Sequence, residues 1–211
     1  MDRHVNDEYV KKARIQSYRS RAAFKLMEID DKHSLLKAGI SVIDVGAAPG
    51  GWSQVAAERT KSKSGRETVV AIDLLDMVKL EGVKFIQGDI EKEDTQEAVS
   101  KALNYEKADF ICSDAVPDFI GERFIDHMKA VYLNQLIIDF CKKTLKPGGN
   151  LLMKIIQGPS EQELHDTTLK HFRKTIRVKP SASRQQSAEI YYLCLDYDNS
   201  LDETIIRTKE L

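Results

Sequence analysis

The chain reads as an α/β protein of the doubly wound type, a mostly parallel sheet with helices on both faces. Three features predict this. From residue 40 onward, apolar runs alternate with amphipathic stretches. The runs are near-continuously apolar, as strands buried on both faces are. A strand–turn–helix passage, VIDVGAAPGGW at 42–52, places a glycine-rich turn at the carboxyl end of the first strand, where such sheets hold ligands.

Residues 7–36 precede the first strand and are expected as one or two short helices, with Phe24, Leu26, Met27 and Ile29 offering apolar contacts. Strands are predicted over 41–46, 68–75, 83–89, 108–114, 150–156, 173–179 and 189–197, and helices over 51–59, 94–103, 127–145 and 160–171. Before the fifth strand, Val131, Leu133, Leu136, Ile137, Phe140 and Cys141 fall near a helical period, and LKPGG at 145–149 stops that helix. Residues 180–188 alone join the last two strands, too few for a helical crossover, so that pair is expected to be antiparallel. The expectation is a seven-stranded sheet with one reversed strand near an edge. It sits in one domain, with a helical extension over 1–40, a core over 41–198 and a tail over 199–211.

With 211 residues and 42% hydrophobic content, the chain can bury one core of ordinary size and little more. No apolar run reaches the roughly 18–20 residues of a membrane span. The opening MDRHVNDEYVKKAR has no apolar centre, so neither a membrane protein nor a secretory leader is expected. Cys112, Cys141 and Cys194 lie far apart in apolar stretches, which points to buried thiols in a reducing compartment. With no CxxC and no paired spacing among the five histidines, no metal site is expected.

A formal net charge of −1 excludes a protein that coats nucleic acid indiscriminately. The distribution is more telling. Arg3, Lys11, Lys12, Arg14, Arg19, Arg21 and Lys25 crowd the start. Lys170, Arg173, Lys174, Arg177, Lys179 and Arg184 fall in a stretch, 167–188, that has no acid. Local basic patches of this kind suit docking of one polyanion in one place, and Arg19, Arg21 and Arg184 are the candidate contacts. Charge reversal at Arg19 or Arg184 is expected to weaken binding of that polyanion.

In the turn, Gly46, Ala47 and Ala48 let the backbone approach a ligand, and Gly50 and Gly51 tolerate φ values closed to other residues. Asp73 ends the second strand, where a carboxylate would accept both ribose hydroxyls, and Asp89 ends the third, placed to meet an adenine amino group. The turn is not GxGxxG, which disfavours a pyrophosphate and with it a nicotinamide dehydrogenase. A ligand with adenosine and no phosphates, S-adenosylmethionine, fits better. Trp52, the only tryptophan, suits helix packing as well as it suits ligand contact.

Asp114 and Lys154 end two apolar runs, Lys25 closes the basic segment SYRSRAAFK and Glu189 opens EIYYLCLDY. A lysine after Leu151–Met153 would be costly without a partner. In order, SYRSRAAFKLMEID, VIDVGAAPGGWSQVA, DLL at 73–75, QGD, SDAVPD, LKPGG, MKIIQG and KPSASRQQSAEIYY resemble the FtsJ/RrmJ-type RNA 2′-O-ribose methyltransferases over about residues 3–197. RHVNDEYVKKARIQSYRSRAAFKL and VAIDLLDMVKLEG are most similar to the mitochondrial large-subunit rRNA (uridine-2′-O) branch.

The resemblance implies a Rossmann-like fold dependent on S-adenosylmethionine and a Lys-Asp-Lys-Glu tetrad at Lys25, Asp114, Lys154 and Glu189. It implies cofactor contacts at Pro49, Gly50, Gly51, Trp52, Asp73, Asp89 and Asp114. The implied partner is large-subunit rRNA or a pre-ribosomal particle, met by a monomer in the mitochondrial matrix, with the cytoplasm as the alternative.

The chain departs from the family at Ala115-Val116, where a bulkier Val116 replaces a small residue and bears on the pocket's shape. A ribose hydroxyl needs positioning and a base, so Lys154 either takes its proton or stays charged and orients it while Asp114 steers. As a base Lys154 must act neutral, which Lys25 favours and Asp114 and Glu189 oppose. Two other readings stay open: a tRNA or mRNA-cap substrate, and a non-catalytic RNA-binding assembly factor.

Overall fold

The computed structural model describes residues 7–63, 65, 67–184 and 187–201. Arg3 of the first basic segment, Gln185 and Gln186 of the late motif, and the tail beyond Leu201 lie outside the described residues. Strands β1 (Val42–Val45), β2 (Val69–Asp73), β3 (Val83–Gln87), β4 (Ala108–Ser113), β5 (Leu145–Ile156), β6 (Phe172–Val178) and β7 (Glu189–Tyr197) form one sheet in the order β3-β2-β1-β4-β5-β7-β6. β7 pairs antiparallel with both β5 and β6, and the other ladders are parallel, so β7 is the one reversed strand. The strand order changes direction between β1 and β4, and the crevice at their carboxyl ends is where a ligand fits such a sheet.

Helices α1 (Glu8–Ile15), α2 (Ala23–His33), α3 (Gly51–Thr60), α4 (Glu93–Ala102), α5 (Arg123–Thr144) and α6 (Glu161–Leu169) accompany the sheet. The inner strands are largely apolar because successive residues feed two different cores, while the edge strands β3 and β6 carry exposed charges. Ile43, Val45, Ile111, Leu151 and Met153 pack with Val99 of α4, Ile137 and Phe140 of α5, and Leu164 of α6. Val42, Phe110, Cys112, Leu152, Tyr191 and Leu193 pack on the opposite face with Leu26 and Ile29 of α2 and Trp52 and Val55 of α3. Leu26 and Ile29 are fully buried, each contributing about 1.5–3 kcal/mol, which anchors the extension that carries Lys25.

Two boundaries differ from expectation by more than two residues. α5 begins at Arg123 because Glu122 accepts the N–H of Ile125 as an N-cap, and Phe124, Ile125 and Met128 are exposed, so the burial period does not mark its first turn. LKPGG does end the helix at Thr144, but it then joins β5: Leu145 pairs with Ala108, and the register slips before Phe110 meets Asn150. All three cysteines are buried free thiols. Among the described residues no helix is long and apolar enough to cross a membrane.

Candidate active site

The alternation of strand residues brings the candidate tetrad to one face. Lys154 lies two residues beyond Leu152, Glu189 and Tyr191 precede Leu193 at the same spacing, and Asp114 follows Cys112 by two. All project toward the α2–α3 layer, where Lys25 emerges. Lys25 is 6% exposed, a burial tolerable for a cation only with partners. Its Nζ lies 2.8 Å from Glu189 Oε1 and 3.8 Å from Asp114 Oδ1, and it donates to the Tyr191 hydroxyl at 2.9 Å. Lys154 Nζ lies 2.7 Å from the same Asp114 Oδ1 and donates to the Asp114 carbonyl oxygen at 2.6 Å. The Tyr191 hydroxyl donates to Asp114 Oδ1 at 2.5 Å.

Burial alone would raise the Glu189 carboxyl, but hydrogen bonding and charge from Lys25, with the charge of Lys154, outweigh it and hold the group below its ordinary value. Tyr191 is pushed far up, first by burial and then by the charge of Asp114, so it stays a protonated donor.

Beside the tetrad opens a cavity of about 340 Å³. Ser20–Ala22 and Lys25 wall one side, the turn residues Gly46–Pro49, Gly51 and Trp52 another, and Asp114, Arg184, Ser187 and Glu189 a third, with Asp44 also lining it. The turn is built from small residues out of necessity. A Cβ on Gly46 (φ +72°) would stand 2.4 Å from the Ala115 Cβ, and one on Gly51 2.2 Å from the Ser20 Oγ. Gly50 holds φ at 107° as the N-cap of α3, and the Ala48–Pro49 peptide is cis.

The lining fits S-adenosylmethionine by its chemistry. Asp44, fully buried, accepts from Ser53 Oγ at 2.6 Å, and its carboxyl is pushed up to about 7, first by burial and further by the charge of Asp114. Among the described residues no cation pairs with this carboxyl, and a ligand bearing sulfonium and ammonium groups would supply one. Among the described residues no group of His, Cys, Asp or Glu is placed to hold a metal ion.

Of the residues expected to hold the cofactor, Pro49, Gly51, Trp52 and Asp114 line the cavity, while Gly50, Asp73 and Asp89 do not. Asp73 Oδ2 accepts from Ala48 N and its Oδ1 from Leu75 N, both at 2.8 Å, which ties β2 to the turn and leaves each oxygen a second acceptor site. Asp89 Oδ1 accepts from Glu91 N at 3.0 Å and braces its own loop. Trp52 packs: it is 2% exposed and donates from Nε1 to the Ala22 carbonyl at 2.8 Å while also bordering the cavity.

The Arg19 guanidinium donates to the carbonyls of Pro49, Val78 and Lys79, so it clamps the turn to the loop after β2. Arg21 and Arg184 do border the cavity. Val116 is 47% exposed and does not line the cavity; Ala115 makes the tight contact with Gly46, so the departure leaves the pocket wall intact.

Sequence reasoning passed over Tyr191 and Asp44. Both carried a signal. Tyr191 shares a face with Glu189 two residues before it, and Asp44 is a carboxylate inside an otherwise apolar strand.

The strand order, the small-residue turn and the lysine–carboxylate cluster define a methyltransferase of the doubly wound class. The comparisons agree. Residues 18–197 match the model of the FtsJ-like methyltransferases, and the chain belongs to that family. It is 42% identical over 200 residues to the ribosomal RNA large subunit methyltransferase E of Methylobacillus flagellatus, covering 95% of each chain. It is 45% identical over 198 residues to the enzyme of the same name from Legionella pneumophila, covering 94% of this chain and 95% of that one. A crystal structure of a Plasmodium falciparum protein assigned to the ribosomal RNA methyltransferases superposes with a TM-score of 0.75 at 32% identity, covering 85% of this chain and 98% of that chain.

Proposed function

We propose that this methyltransferase modifies the 2′-hydroxyl of a ribose, a uridine, in large-subunit rRNA, with S-adenosylmethionine as donor. One observation carries the reading: Lys25, Lys154 and Tyr191 all converge on Asp114 Oδ1 at the edge of the cavity. When bound, S-adenosylmethionine supplies an electrophilic methyl group. Asp44 and Asp114 would complement its positive charge, and Pro49, Gly51 and Trp52, which line the cavity, would border it.

Lys154 takes the hydroxyl proton at Nζ. Its ion pair and its hydrogen bond both run to Asp114, which fixes its direction. Asp114 orients Lys154, Lys25 holds Asp114 and Glu189 together, and Glu189 offsets the charge of Lys25. The names of the relatives support an rRNA substrate. We place the enzyme in the mitochondrial matrix, acting as a monomer on rRNA or a pre-ribosomal particle. That placement rests on the resemblance of the N-terminal and 70–82 segments. The chain works as one methyltransferase domain whose extension contributes Lys25.

The test is transfer of labelled methyl from S-adenosylmethionine to large-subunit rRNA lacking 2′-O-methyl marks, with a 2′-deoxy oligonucleotide of the target loop as control. Transfer to rRNA and none to the deoxy control is expected. Methylation of the deoxy control would place the acceptor on a base and overturn the ribose assignment.

A further inference from the structure

Two guanidiniums at the cavity mouth already hold an anion, and it belongs to the protein itself. Arg21, from the extension, and Arg184, from the β6–β7 connection, both line the cavity. Asp7 stands between them. Arg21 Nη1 donates to Asp7 Oδ2, and that same oxygen lies 3.7 Å from Arg184 Nε. Arg21 is further fixed by donating from Nη2 to the Ala182 carbonyl. Burial, and then the charge of Arg184, holds Arg21 below its ordinary value, as expected of cations forced close together. Such a pair calls for an anion. A carboxylate fills the place, but a phosphodiester offers paired oxygens of the kind the arginine fork binds best.

The segment that delivers Asp7 is lightly attached. Asp7 is the N-cap of α1, accepting from Tyr9 N at 3.1 Å, and α1 has eight residues, too few to be stable alone. Ala13 is its buried residue, in a small cluster with Phe24 and Ala182 that meets the α2–α3 core through the partly buried Tyr18 and Met27. Tyr9 adds a ring contact to Phe24 at 5.7 Å and a hydroxyl contact to Ser181 Oγ at 3.3 Å. An element with so little buried surface opens locally at low cost compared with the sheet.

We infer that Arg21 and Arg184 form a clamp for a backbone phosphate beside the target ribose, and that Asp7 occupies this clamp in the free protein and yields it when RNA binds. The inference rests on the reading of the chain as an RNA ribose methyltransferase. The exchange trades one anion for another in a fixed site. It sets a threshold that a phosphate held nowhere else meets poorly and that RNA also seated at the tetrad meets readily.

The opposing possibility is that Asp7 is a permanent strut that aims both arginines, and the two roles predict opposite signs. Asp7→Asn removes the charge and keeps the cap, since Asn caps a helix as well as Asp does. The measurement is anisotropy of a labelled single-stranded RNA of the target loop at fixed salt, with S-adenosylmethionine affinity taken alongside as the control for folding. The expected result is RNA binding about fivefold tighter in Asp7→Asn, on the scale of one partly exposed ion pair, with cofactor affinity unchanged. Equal or weaker RNA binding with cofactor affinity intact overturns the exchange.

Should Asp7→Asn lose cofactor binding, wild-type amide hydrogen exchange decides. Faster exchange at residues 8–12 with RNA bound sustains the proposal, and slower or unchanged exchange overturns it. If neither protein binds RNA, it is the RNA reading that fails. The clamp is then judged with inorganic phosphate, where tighter binding by Asp7→Asn sustains it and equal binding overturns it.

Discussion

Lys154 and Tyr191 are direct partners across the antiparallel β5–β7 ladder, and both side chains end on the same oxygen, Asp114 Oδ1. The one reversed strand therefore does more than close the sheet. Pairing β7 beside β5 places Glu189 and Tyr191 opposite the end of β5, and the three side chains reach Asp114 or its partner Lys25 without any loop having to order.

Lys154→Ala is expected to lower methyl transfer by about 10²–10⁴-fold while leaving S-adenosylmethionine affinity within a factor of about two. A pH–rate profile of the wild type should carry a limb that rises with pH and disappears in the variant. A variant profile that keeps the limb and loses only amplitude would show that Lys154 orients the hydroxyl without taking its proton.

Tyr191→Phe removes one donor to Asp114 and one acceptor for Lys25, yet Asp114 keeps Lys154 and Lys25 keeps Glu189. The rate is expected to fall by about 3–10-fold, the scale of one net hydrogen bond, far less than for Lys154→Ala. Single-turnover kinetics on both variants makes the comparison, and an equal loss in the two would mean that the hydroxyl is itself essential.

Asp44 titrates at about 7 in the folded chain against 3.8 for the free group. The folded state keeps a proton that the unfolded state gives up between those values. Its contribution to stability is therefore full below about pH 4, declines as pH rises toward about 7 and is flat beyond. Urea melts across this window should show the decline in the wild type and a shallower one in Asp44→Asn; identical slopes would remove Asp44 as its source. A cationic ligand beside Asp44 favours its charged form, so cofactor binding near pH 6 should release a proton, seen as a binding enthalpy that depends on the buffer.

Arg19→Ala is expected to weaken S-adenosylmethionine binding by about tenfold, because three backbone carbonyls of the turn and the loop after β2 lose their donor. RNA affinity, compared at one salt concentration, should fall less than in Arg184→Ala. The reverse order would make Arg19 the stronger RNA contact.

Much of the fold was legible in the sequence because its signals are local. Near-continuous apolar runs such as VVAID and ADFICS can only be strands covered twice, the short 180–188 link forces an antiparallel pair, and a turn as crowded as Gly46–Gly51 must be built from small residues. The tetrad residues were legible through the ordered motifs that resemble the family, and the structure brings Lys25 and Lys154 to Asp114 and Glu189 to Lys25.

What the sequence by itself determined, then, is the set of elements, their alternation and the residue types at the strand ends, since these follow from periods of two and of 3.6. Only the tertiary structure decided which polar groups were already engaged. Asp73, Arg19 and Asp7 look equally available in the sequence, yet Asp73 and Arg19 are committed to backbone partners, and Asp7 sits between two arginines brought together from opposite ends of the chain. The physical reason is that a hydrogen bond or ion pair forms with whatever is near in space, and closeness between residues 7, 21 and 184 exists only after the sheet has folded.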